Sequence, residues 1–221
     1  MVDTSKEPRS AEERIDRLVR WFRANQRTVT IAGAVALLLG MGAWFMITAR
    51  QRKEAFAARE LIQIRQTADA GNLPLATNDL SRLISGYRGT TAAEEGTLLL
   101  AQIRLQQGQP ELAVAALREL LAGAPRERFR APAHSLLGTA LEQLGNLEEA
   151  ARAYRDGART ARYELLELQL LMEAGRAFTM AGDTAEAATI YEGIIREHPE
   201  APGLSEVRLR LGEIRRSDIA S

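Results

Sequence analysis

Cysteine is absent from the 221 residues. This removes disulfides, thiol catalysis, thiolate metal ligation and lipid attachment through an N-terminal cysteine. Aromatic residues make up only 5% and proline only 7 residues, so strand-forming composition is thin. An excess of one charge sign is also missing, because Lys+Arg and Asp+Glu are both 29; a general nucleic-acid-binding role is disfavoured. Lysine itself is nearly absent, with Lys6 and Lys53 alone among the basic residues. Histidine is limited to His134 and His198, too far apart in sequence to suggest a metal pair, and His198-Pro199 reads as an ordinary helix end. Glycines are scattered rather than gathered into a phosphate loop, and no Ser or Asp has a His at triad spacing. The pairs Glu94-Glu95 and Glu148-Glu149 read as solvated carboxylates at helix starts, favoured by the dipole. The expectation is a non-enzymatic protein with no metal, no cofactor and no small-molecule substrate.

What is present is alanine and leucine, within a hydrophobic share of 46%. These are the strongest helix formers, so the chain is expected to be all-α.

Residues 28–49, TVTIAGAVALLLGMGAWFMITA, carry no charge over 22 positions. As a helix this run is roughly 33 Å long, against a hydrocarbon core of about 30 Å. It exceeds the h-region of a cleaved signal peptide, and the nearest A-x-A sequence, Ala55-Phe56-Ala57, lies beyond Arg50, Arg52 and Lys53. An uncleaved transmembrane helix over 28–49 is predicted. It follows a basic amphipathic tail over 1–27 and precedes a helical domain over 50–221. Five basic residues flank the run on each side within 16 positions, so the positive-inside rule is balanced. The Arg14–Arg23 stretch, suited to an anionic cytoplasmic surface, tilts the expectation to a cytoplasmic N-terminus. Within the run, Ala32, Ala36 and Gly40 form a small-residue stripe that would let another span approach.

The remainder repeats. Gly71, Gly108, Gly145 and Gly182 are spaced by 37, as are Ala76, Ala113, Ala150 and Ala187, and Leu80, Leu117, Tyr154 and Tyr191. Upstream, Leu100, Leu137, Ala174 and Leu211 keep the interval, next to Ala101, Gly138, Gly175 and Gly212. The last-named column places a small side chain inside a helix, where a neighbour can come close. The Gly71 column marks a helix C-cap and tight turn. The Ala and Leu/Tyr columns form the packed face of a second helix. Each unit is thus a helix–turn–helix whose face only the next unit buries. Residues 204–216 should be a lone first helix that caps the array, with Arg208, Arg210, Arg215 and Arg216 on its outer side.

This pattern resembles the tetratricopeptide repeat, best in Leu171-x-x-Ala174-Gly175-x-x-Phe178, Gly182, Ala187, Tyr191 and Pro199. The unit from Glu60 is degenerate, with Ile64 in the small position. The resemblance covers residues 53–216 and implies an α-solenoid of about four repeats. It also implies a groove lined by first helices: Leu61, Leu98, Ser135 and Met172, then Arg65, Gln102, Thr139 and Arg176, then Ala68, Leu105, Glu142 and Thr179. Such a groove suits an extended or helical peptide. Arg65 and Arg176 are expected to act there as exposed cations, whose loss weakens capture without lowering thermal stability.

Taken together, the basic tail, single span and repeats resemble the ancillary Sec-translocon subunit (YfgM-like) family of bacteria. That resemblance implies a single-pass inner-membrane protein with its N-terminus in the cytoplasm and its repeats in the periplasm. Its partners would be translocon subunits and periplasmic chaperones, and its role an adaptor for exported proteins. The alternative is a structural scaffold of an envelope machine, for division or outer-membrane assembly.

Overall fold

The computed structural model describes Trp21 and residues 24–220; the side chains of Val29, Ala32 and Ala36, and those of 217–220, lie outside the description. The expected amphipathic tail lies outside it as well, save Trp21 and residues 24–27. The chain divides into two compact units, Met1–Arg52 and Lys53–Ser221. Nine helices are described and, among the described residues, no strand. They are α1 (Gln26–Asp69), α2 (Leu73–Gly86), α3 (Thr91–Gln106), α4 (Pro110–Ala122), α5 (Glu127–Gln143), α6 (Leu147–Arg159), α7 (Glu164–Ala181), α8 (Thr184–Glu197) and α9 (Leu204–Ala220).

In the first unit, the described positions of the uncharged run are helical. Its large apolar side chains are exposed, including three successive residues, Leu37, Leu38 and Leu39, at 65–74%. Among the described residues no helix is long and apolar enough to cross a membrane. Of the small-residue stripe, Gly40 has open space around it, while the side chains of Ala32 and Ala36 lie outside the described residues.

In the second unit the 37-residue lattice becomes helix pairs: the end of α1 with α2, α3 with α4, α5 with α6, and α7 with α8. The Ala column at 76, 113, 150 and 187 is fully buried in all four units. The Leu/Tyr column four residues on is buried as well, one helical turn further along the same face. Gly71, Gly108, Gly145 and Gly182 all take positive φ, between 67° and 85°, which lets the chain reverse in two or three residues at no Cβ cost. The second helices start on local caps where side chains allow: Asn72 accepts from the Leu75 N–H, and Asp183 from the Glu186 N–H. The terminal helix α9 buries Leu204, Val207, Leu211 and Ile214. Its outer side holds the Arg210–Glu206 pair, and Arg215 reaches back to Glu192 of α8.

The core is not continuous along the array. One cluster joins α1, α2 and α3 through Ala57, Leu61, Ile64, Leu80 and Leu83. The larger cluster begins at Ala101 and Ala113 and runs to Ile214. Between them the packing is interrupted by a cleft lined from Ser81 to Pro125.

Candidate functional site

The first-helix residues expected to line a groove fall into three groups. Leu61 is a core residue, 4% exposed, and is therefore removed from the groove. It lies within 4 Å of the place where a Gly96 side chain would begin, so the missing side chain on α3 lets it sink inward. Leu98, Leu105 and Met172 are half-buried and pack against the larger core. They present part of their surface. Gln102 is fully available at the surface, whereas Thr139 is half-buried and its hydroxyl lies 3.2 Å from the Tyr154 hydroxyl.

Neither arginine is a free cation. The Arg65 guanidinium on α1 donates to Glu95 of α3 at 2.5 Å, an exposed pair. Arg176 on α7 is more firmly held. It donates to both carboxylate oxygens of Glu142 on α5, at 2.7 and 2.9 Å, and to Glu173 at 2.6 Å. Its Nη1 also lies 3.1 Å from the Met180 sulfur. The two carboxylates raise the Arg176 pKa further above its already high ordinary range, against the opposing effect of burial. Burial pushes the neighbouring Tyr154 and Tyr191 phenols upward, so both stay neutral hydroxyls at physiological pH. The first-helix side of the third and fourth repeats therefore carries a cluster of Glu142, Glu173, Arg176, Thr139 and Tyr154. Around it, Met172, Met180 and Thr179 leave surface exposed.

Of this cluster, Glu173 and Tyr154 were not among the expected groove residues. A signal for the Arg176–Glu142 pair existed: the interval of 34 is one repeat less one helical turn of three. The acidic pairs are likewise more than solvated charges. Glu94 holds Arg126 at 2.7 Å, Glu95 holds Arg65, Glu148 pairs with Arg152, and Glu149 accepts from Arg118 at 2.7 Å. The Arg118–Glu149 pair recurs one repeat later as Arg155–Glu186 at 2.9 Å, so ion pairs tie successive second helices together.

His134 occupies the third repeat's version of the column that holds Thr97 and Leu171. Its Nδ1 is buried with no hydrogen-bond partner, and burial holds the imidazole below its ordinary pKa, against the weaker pull of Asp156. A lowered folded-state pKa means that the unfolded chain takes up the proton first as pH falls below about 6.5. The stabilisation from neutral His134 is thus complete above that value and is lost on acidification. Thermal melts of wild type and His134→Leu between pH 7.5 and 5 should diverge, with wild type losing more. The divergence is bounded by about 1.4 kcal/mol per pH unit for one proton; parallel curves would remove His134 as the source. His198 caps α8 and its Nδ1 lies 2.9 Å from Glu164. Among the described residues no group of three His, Asp or Glu is placed to hold a metal ion.

Paired helices stacked in register, with a partly apolar and ion-paired first-helix surface, define a helical repeat scaffold. The chain belongs to the tetratricopeptide repeat-like domain family, whose family model matches residues 19–211. Proteins of this fold are generally non-catalytic and bind other proteins. Similar solved structures include MamA, with a TM-score of 0.57 at 15% identity over 73% of this chain and 82% of that one. A tetratricopeptide repeat protein from Parabacteroides merdae gives 0.59 at 14% identity, over 73% of this chain and 60% of that one. pilF of Pseudomonas aeruginosa gives 0.54 at 17% identity, over 76% and 71%. At these identities the likeness is one of fold. A comparison with curated proteins finds no match.

Proposed function

We propose that the chain is a single-span adaptor of the bacterial inner membrane, with its repeats on the periplasmic side, assisting chaperoning or trafficking of exported proteins at the translocon. The observation that carries the anchor is the exposure of Leu37, Leu38 and Leu39 together. Successive helical residues point about 100° apart, and Val35, Trp44, Phe45 and Ile47 are exposed as well, so apolar surface faces outward on all sides; such a helix is covered either by a large protein core or by lipid. Taken whole, residues 28–49 are uncharged and long enough for a bilayer. The family match starts at residue 19 and so takes in this run together with the repeats. For partner binding, the support is the exposed surface of Met172 and Met180 beside the Arg176 cluster. Flexible thioether surface next to fixed polar groups suits peptides of varied sequence.

Cross-linking in native membranes, followed by identification of captured proteins, tests the function. Capture of translocon subunits or periplasmic chaperones is expected. Capture of division or outer-membrane assembly proteins instead would replace the adaptor with an envelope scaffold. A reporter that works only outside the cytoplasm, fused after Ser221, should be active; activity of a cytoplasm-dependent reporter alone would reverse the orientation.

A further inference from the structure

A cleft of about 560 Å³ opens where the core is interrupted, between α2, α3 and α4. Its cause is visible in the repeat lattice. One repeat interval beyond Arg104 stands Leu141, and one further stands Phe178; both are 2% exposed core residues. The Thr97 position likewise becomes Leu171 two repeats on. Ser81, at the cleft wall, corresponds two intervals later to Arg155, which lies over the Phe178 ring at 5.4 Å from its centroid. The fourth repeat therefore fills with a ring and its cation the space that Ser81, Thr97 and Arg104 leave open in the second.

The charges around the cleft are unequal. Glu94 is engaged by Arg126, and Glu119 by Arg88 at 3.2 Å. Arg104 has no carboxylate within ion-pair distance among the described residues. Its one hydrogen bond runs from Nη1 to the Leu112 carbonyl at 2.9 Å, and its Nε is buried without a partner. A half-buried cation with one buried donor unpaired and no carboxylate beside it is the costly side of a hydrogen-bond balance. Apolar walls come from Ile84, Leu112 and Ala116.

We propose that this cleft is a second binding site, separate from the Arg176 cluster. Its occupant is a partner segment presenting a leucine or phenylalanine side chain next to an aspartate or glutamate. The apolar side chain takes the place that Leu141 and Phe178 hold in later repeats, and the carboxylate accepts from Arg104. The site does not depend on the membrane reading, because every residue of it lies in the second unit.

The test uses the full-length chain in detergent and two photoreactive peptides, acetyl-Ala-photoleucine-Asp-Ala-amide and its Asn counterpart. Cross-links mapped by mass spectrometry should fall on α2, α3 and α4, and the Asn peptide should label there on the order of tenfold less. Arg104→Leu installs the third repeat's residue, so it should abolish this labelling while leaving the melting temperature equal or higher. Ala115→Leu, at an exposed position on the cleft wall, should block entry without touching Arg104, and it decides the matter if Arg104→Leu folds poorly. Labelling spread evenly over the repeats, or retained in Ala115→Leu, would overturn the proposal. Equal labelling by the Asp and Asn peptides would overturn the role of Arg104.

Discussion

Gly175→Ala should destabilise the repeat domain by about 1–3 kcal/mol, and Gly175→Leu by more, although both are favourable changes by helix propensity alone. A Cβ at Gly175 would lie 2.7 Å from the Tyr191 ring, and one at Gly138 would lie 2.5 Å from the Tyr154 ring. Neither ring can retreat: Tyr191 and Tyr154 are buried among the core residues of the larger cluster. The same column gives an internal control. Gly212 on α9 has nothing within 4 Å of its Cβ position, so among the described residues no tyrosine ring lies over it. There the loss of a flexible glycine should dominate, so Gly212→Ala should stabilise by about 0.5–1 kcal/mol. The chain also contains its own suppressor. In the second repeat the small position is Ala101 and the facing column holds Leu117, both fully buried. Alanine thus accompanies leucine, while glycine accompanies tyrosine. Gly175→Ala with Tyr191→Leu should recover most of the loss from Gly175→Ala. Urea and thermal melts followed by circular dichroism measure these four variants and Tyr191→Leu alone. A double variant less stable than the sum of its single changes would mean that the close approach of ring and glycine is not what fixes this column.

That pairing explains why the fold was legible in the sequence. Each 37-residue column has one physical task, a left-handed turn, a closed helix contact or a buried stripe, and Gly145, Ala150 and Tyr154 perform in the structure the tasks their types suggest. The helix α9 was legible for the same reason, since Leu211 and Gly212 continue their columns. The surface was less so. Burial of Leu61 depends on Gly96, a residue outside every column, and the ion pairs depend on sums of repeat and helical intervals: 34 for Arg176 with Glu142, 30 for Arg65 with Glu95. The cleft at Arg104 was hidden by the opposite feature. It is a departure from a column, visible only once Leu141 and Phe178 are known to be core.

Arg176→Ala is the second large effect, and it runs against the expectation that this arginine can be removed without thermal cost. Its guanidinium lies between Glu142, whose side chain is 20% exposed, and Glu173, at 39%. Truncation leaves two carboxylates facing one another with their shared donor gone. Charge-assisted hydrogen bonds of this kind are worth about 1.5–3 kcal/mol where desolvated. The Arg176 side chain is itself 38% exposed, so screening reduces the sum, and a loss of about 1–2 kcal/mol is expected. Arg65→Ala breaks only an exposed pair and should stay within about 0.5 kcal/mol. Adding Glu142→Gln and Glu173→Gln to Arg176→Ala removes the stranded charges and should restore much of the melting temperature. That triple variant separates folding from binding. If the cluster positions a bound peptide, capture of partners in cross-linked membranes stays low in the triple variant although its stability has returned. If capture returns with stability, Arg176 acts only through the fold, and the binding surface lies elsewhere on the array.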